Sequence, residues 1–125
     1  MSTSPRSGRS RPDTRAIGEA KERLAESFLI AQGLRLVARN QRSRFGEIDL
    51  VMRDEAILVF VEVRYRRSTR FGTPAATVDA RKQQRLILAA RHYLHRHPTQ
   101  LACRFDVVAI SAEDDIQWIR QAFTL

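Results

Sequence analysis

From Gly18 to Gln32 apolar residues recur at helical spacing, at Ala20, Leu24, Phe28 and Ala31, with Ala25 and Leu29 beside them. Gly33 follows, a residue that takes the left-handed conformation closing many helices, so the pattern predicts an amphipathic helix ending there. The period then changes. Leu34 to Ala38 is an apolar run of strand length, Asn40 to Phe45 is polar and basic as an exposed loop would be, and Gly46 to Met52 alternates. In that alternation Glu47, Asp49 and Val51 share one side and Ile48, Leu50 and Met52 the other, because successive strand side chains point to opposite faces. Ile57 to Tyr65 is rich in Val and Phe and almost continuously apolar, the pattern of a central strand buried on both faces.

A second helical period begins after Asp79, a suitable N-cap, and reaches about His95. Its expected core positions are Leu86, Ala89, Ala90, Tyr93 and Leu94; Arg81, Arg85, His92 and Arg96 fall on the other face. Arg104 to Ile110 is another strand, and Ile116 to Phe123 a last edge strand, with a short helix around Trp118 and Phe123 as the alternative. Helix, three strands, helix and two strands predict an α/β fold, a three-layer α/β/α sandwich around a mixed central sheet. Residues 1–16, where Arg6, Arg9, Arg11 and Arg15 stand among small and turn-favouring residues, read as a disordered basic tail, and residues 17–125 as the folded domain.

Composition narrows the class. A chain of 125 residues suits one domain with a real core. Cys103 is the only cysteine, which excludes an intrachain disulfide and argues against structural zinc. The N-terminus lacks the apolar stretch of a secretory signal, and the longest apolar run, Ala56 to Val61, is far too short to span a bilayer; a cytoplasmic protein that does not enter membranes is expected. The net charge of +8 is unevenly spread: between Arg64 and His97 nine Lys and Arg stand against Asp79 alone. Such a basic surface attracts polyanions by counterion release, which predicts a nucleic-acid partner. A merely solvated face is the plainer explanation, and the preference for Arg, 20 of 22 basic residues, would also follow from a GC-rich genome.

Two carboxylates interrupt the best strands. Glu62 stands between Val61 and Val63, and Asp49 between Ile48 and Leu50, where an unpaired charge is costly to desolvate. In an antiparallel hairpin the two project together only if the connecting loop has an even number of residues. A two-residue turn at Asp54 and Glu55 meets that condition and sets Asp49 opposite Phe60, diagonal to Glu62, at roughly 7 to 8 Å between Cα atoms. A divalent cation, Mg²⁺ or Mn²⁺, would relieve the repulsion of the pair and leave positions for water and a phosphate oxygen. The competing arrangement is an ion-pair network in which Glu62 meets Arg64 or Lys82 and Asp49 meets a loop arginine. Spacing alone leaves both open.

The strings Gly46-Glu47-Ile48-Asp49-Leu50-Val51, Val59-Phe60-Val61-Glu62-Val63-Arg64-Tyr65-Arg66 and Arg104-Phe105-Asp106-Val107-Val108 closely resemble the YraN family of small bacterial proteins, which carries an endonuclease assignment. That family is in turn similar to the archaeal Holliday junction resolvases of the PD-(D/E)XK superfamily. The resemblance spans about Gly18 to Phe123 and implies a restriction-endonuclease-like fold and Mg²⁺- or Mn²⁺-dependent cleavage of structured or branched DNA, to which a homodimer would be suited. It makes Asp49 and Glu62 metal ligands, adds the Val63 carbonyl as a third contact, and points to Glu22 as the acid of the first helix. By the same fold, Lys82 and Gln84 open the second helix where a polar side chain can turn toward metal or phosphate, and Arg66, Arg67 and Arg70 would contact backbone phosphates. Asp106 reads as a structural acceptor. Arg64 stands where those nucleases usually carry lysine: an arginine can stabilise charge on a phosphate but does not give up its proton. That departure motivates the alternative of a non-catalytic nucleic-acid-binding module on the nuclease scaffold.

Overall fold

The computed structural model describes residues 14–66 and 78–124. Helix α1 spans Thr14–Ala31, and five strands follow around a second helix: β1 Arg35–Ser43, β2 Gly46–Asp54, β3 Ile57–Arg66, α2 Ala80–Arg96, β4 Ala102–Ser111 and β5 Ile116–Phe123. Residues 14–16, expected in the tail, are therefore the first of α1; the rest of that tail lies outside the described residues. Helix α1 closes as Gly33 predicts. The glycine has φ 102°, its N–H reaches the Ile30 carbonyl at 2.9 Å, and the Leu34 N–H reaches Leu29 at 3.0 Å, the paired bonds of a Schellman cap. Helix α2 starts as expected, with the Asp79 carboxylate accepting from the Lys82 N–H at 2.8 Å.

The strands lie in one sheet in sequence order, β1-β2-β3-β4-β5. β1 to β3 form an antiparallel meander, β3 and β4 run parallel with α2 in the connection between them, and β5 returns antiparallel to β4. Alternation along β3 divides the core. Leu58 and Phe60 join Val51, Phe105 and Val107 beneath Leu86, Ala89, Ala90 and Tyr93 of α2. Val59 and Val61 join Leu50, Met52, Val108 and Ile110 beneath Ala25 and Leu29 of α1. The helices thus cover opposite faces of a mixed sheet, as in a three-layer α/β/α sandwich. Phe60 packs at 5.4 Å from Phe105 and 5.8 Å from Tyr93, ring centroid to centroid; burying each such side chain stabilises by roughly 1.5 to 3 kcal/mol. Among the described residues no helix is long and apolar enough to cross a membrane.

Two expectations are corrected. Residues 40–43 are not loop but the second half of β1, pairing with β2 down to Ser43 and Gly46. Strict alternation in β2 also fails, because Ile48 packs with Val51 on the α2 side while Leu50 and Met52 pack on the α1 side. The break falls at Asp49. In β1, Asn40, which the register sets against Asp49, takes φ 45°, a left-handed value that asparagine tolerates better than most residues.

Asp106 is the structural acceptor expected. It is fully buried where the β4–β5 register shifts, and it receives Arg104 Nε at 2.9 Å and Nη2 at 3.1 Å, Trp118 Nε1 at 2.9 Å and the Gln121 N–H at 2.9 Å. Gln121 has φ 49°, so the carboxylate holds the irregular edge strand in place.

Candidate functional site

The β2–β3 hairpin turns through Glu55 and Ala56, with Asp54 paired to Ile57 and Glu55 at φ 55°. The loop has the even length that the two carboxylates require, but the turn is one residue further along than Asp54 and Glu55. Carried one residue beyond the paired segment, its register, Leu50 to Val61 and Val51 to Phe60, sets Asp49 across from Glu62. The pair is therefore directly opposed, not diagonal. Regular pairing stops at Leu50, and beyond it the Asp49 carboxylate takes the place of a main-chain partner, accepting from the Val63 N–H at 2.8 Å.

Glu62 is buried and Asp49 partly buried. Lys82 Nζ lies 3.5 Å and Arg64 Nη1 3.9 Å from Glu62 Oε2. Asp49 has no cationic partner among the described residues, so the ion-pair network is only half realised. Arg64 Nε is buried without a hydrogen-bond partner among those residues. From α1, Glu22 completes the rim: the Asn40 side-chain amide donates to Glu22 Oε1 and to Glu47 Oε2, both at 2.9 Å. A cavity of about 260 Å³ opens between the two helices, with Glu22, Glu47, Asp49, Glu62, Val63 and Lys82 among its walls.

Burial, then the charge of Glu62, holds the Asp49 carboxyl well above the usual range; the Val63 N–H opposes this, and Glu22 and Glu47 add to it. Burial likewise raises Glu62, with Lys82 offsetting part of the rise. Both groups bind protons more tightly in the folded chain than in the unfolded one. Their presence therefore costs stability as pH rises above the ordinary carboxylate range. Asp49→Asn keeps an acceptor for Val63 and removes the charge. In chelator at pH 8 it is expected to stabilise the protein by roughly 1 to 2 kcal/mol, and near pH 4 by little. Thermal melts at both pH values check this, and an unchanged or lower melting temperature at pH 8 contradicts it.

The other expected residues fare unevenly. Gln84 is exposed on α2 and is not among the cavity walls. Arg66 ends β3, paired with Ser111 of β4, and Arg67 and Arg70 lie outside the described residues. Asn40, Glu47 and Lys21 were not anticipated. Lys21 Nζ sits 2.6 Å from Asp114 Oδ1 and 4.8 Å from the Tyr65 ring centroid, tying α1 to the β4–β5 turn beside the cavity. Glu47 was legible as lying two residues before Asp49. Asn40 was not, because its segment reads as loop until β1 is given its full length.

Among the described residues no three His, Cys, Asp or Glu side chains are gathered closely enough to cage an ion. Two opposed carboxylates beside an open cavity suit a hard cation that keeps much of its hydration, as Mg²⁺ does.

Residues 21–110 match the Uncharacterised protein family UPF0102. A UPF0102 protein of Chromohalobacter salexigens is 54% identical over 114 residues, 89% of this chain and 93% of that one. Another, from Methylobacillus flagellatus, is 52% identical over 110 residues, covering 86% and 96%. A third, from Nitrosomonas europaea, is 54% identical over 108 residues, covering 85% and 92%. With the match running from α1 through β4, and so across every residue that lines the cavity except Gly18, this chain belongs to the UPF0102 family.

Proposed function

We propose that the protein is a divalent-cation-dependent phosphodiesterase of restriction-endonuclease-like type that cleaves structured or branched DNA. The observation that carries this is the opposed Asp49 and Glu62 pair, raised in pKa by burial and crowding and left with one carboxylate unpaired by any described cation. The donor set is all oxygen, which fits Mg²⁺ or Mn²⁺. Asp49 and Glu62 would hold the ion, joined by the Val63 carbonyl, since the N–H and C=O of a strand residue leave on the same side and the Val63 N–H already faces Asp49. Bound there, such a cation supplies Lewis-acid activation of phosphate and water.

The chain's own groups account for the rest. The Val63 N–H fixes one Asp49 oxygen and leaves the other for the cavity. Lys82, half exposed beside Glu62, has donors to spare for a phosphate oxygen. Arg64, whose Nε lacks a described partner, stabilises the negative charge that grows on phosphorus-bound oxygens. Glu22 on the rim positions the attacking water. Arg81 and Arg85 extend from Lys82 along exposed α2, where no acid interrupts them, and meet backbone phosphates without regard to sequence. A homodimer would present two such cavities to a branched substrate, and these activities belong in the cytoplasm.

The test is cleavage of linear, flapped and four-way DNA in Mg²⁺ and in Mn²⁺, with chelator and Glu62→Ala as controls. Cation-dependent cleavage that Glu62→Ala abolishes is the expected result; activity unchanged in that variant sinks the proposal. The Glu62 ion pairs with Lys82 and Arg64 favour the second reading, a binding module without turnover. Salt-sensitive DNA binding with neither cleavage nor Mn²⁺ binding would establish it instead.

A further inference from the structure

Four carboxylates line the cavity, and one neutral group joins two of them. The Asn40 amide has two N–H donors and spends one on Glu22 of α1 and one on Glu47 of β2, both at 2.9 Å. These acids are 25 residues apart in sequence and belong to different layers of the fold. Asn40 reaches both because β1 is distorted at that point, with φ 45° opposite Asp49. Across the cavity, Glu62 is held by cations, Lys82 and Arg64. An arginine or lysine in place of Asn40 would also hold the acids, but it would cancel their field and repel a cation. An amide holds them and adds no charge of its own, so that among the described residues the only cation paired with either acid is Arg42, its Nε 3.9 Å from Glu47 Oε2.

We infer that Asn40 is a positioning residue that bridges Glu22 and Glu47 on the cavity rim and thereby raises the affinity of the site for a divalent cation. The inference rests on the metal-dependent reading of that site. Asn40 need not touch the ion. Loss of a group that orients acids around a metal typically weakens binding by about 10- to 100-fold, and because Asn40 is exposed the lower figure applies.

Two substitutions separate positioning from backbone fit and from charge. Asn40→Gly accepts the left-handed backbone and removes the amide. Asn40→Asp tolerates the same backbone, adds a negative charge and replaces the donors with acceptors. Mn²⁺ titration of the full chain is expected to show about tenfold weaker binding in both variants, with the melting temperature of Asn40→Gly near that of the wild type. Tighter Mn²⁺ binding by Asn40→Asp would show that charge alone matters and would overturn the inference, as would undiminished binding by Asn40→Gly. The bridge can also be read without metal. The Asn40 side-chain NH₂ resonances are expected to shift in both Glu22→Gln and Glu47→Gln, and a signal indifferent to either overturns the bridge. Absence of Mn²⁺ binding in the wild type would defeat the metal-dependent reading and with it the affinity role, while the NH₂ signal would still decide the contact.

Discussion

Glu62→Gln is expected to lower cation-dependent cleavage by about 10³-fold or more, equivalent to roughly 4 kcal/mol of transition-state stabilisation, while the protein stays folded. The substitution keeps the length of the side chain and an oxygen to accept from Lys82, 3.5 Å away. It removes the charge on which the proposed cation binding would depend. Because burial raises the Glu62 pKa, the neutral amide is also the cheaper group to bury once the cation is absent. The melting temperature in chelator should therefore hold or rise as activity falls. Rates with Mg²⁺ and Mn²⁺, read beside a thermal melt, check both halves. Near-normal cleavage by a folded Glu62→Gln protein would remove Glu62 from the chemistry.

Asp106→Ala is expected to do the reverse, destabilising the fold by about 3 to 5 kcal/mol, the range for stripping one partner from a buried ion pair. Its carboxylate accepts four hydrogen bonds, and no water reaches it to take them over. Arg104 would keep only its bond to Asp54 at 3.0 Å, with the indole of Trp118 and the Gln121 N–H left unsatisfied. Set against a typical total of about 5 to 15 kcal/mol, that loss brings much of the chain to the edge of unfolding. A denaturant midpoint measured with and without the substitution reads the effect directly. A change below about 1 kcal/mol would mean that the edge strand finds other partners. Two buried acids in neighbouring strands are thus expected to respond to neutralisation with opposite signs, because one is surrounded by donors and the other by carboxylates and too few cations.

Much of this was legible from residue order. The 3.6-residue period marked both helices, and the dense apolar run of β3 marked the centre of the sheet. Acids interrupting apolar strands marked Asp49 and Glu62. The offset of the hairpin turn was not legible. Moving the turn by one residue shifts the pairing sum by two and returns every side chain to the same face, so periodicity cannot tell the two registers apart. Packing of Leu50 against Val61 and Val51 against Phe60 decides it. The polar half of β1 was hidden for a related reason. Arg39, itself exposed, forms a bidentate pair with buried Glu26, at 2.7 and 2.8 Å, and an arginine held in a strand this way looks like loop in a hydrophobicity pattern. The convergence of Glu22 and Glu47 on Asn40 depends on the docking of α1 and on a local distortion, and neither leaves a periodic trace.

The sheet keeps its strands in the order of the sequence, and that order has a consequence for synthesis. Glu22, Glu47, Asp49 and Glu62 all belong to the first half of the chain, with α1 and the β1 to β3 meander, whereas Lys82 comes with α2. During vectorial synthesis, at some 5 to 20 residues per second, these acids leave the ribosome ahead of the amine of α2. For that interval Arg64, which arrives with β3, is the cation at hand for Glu62, and the compensation that Lys82 shares is completed only when α2 docks.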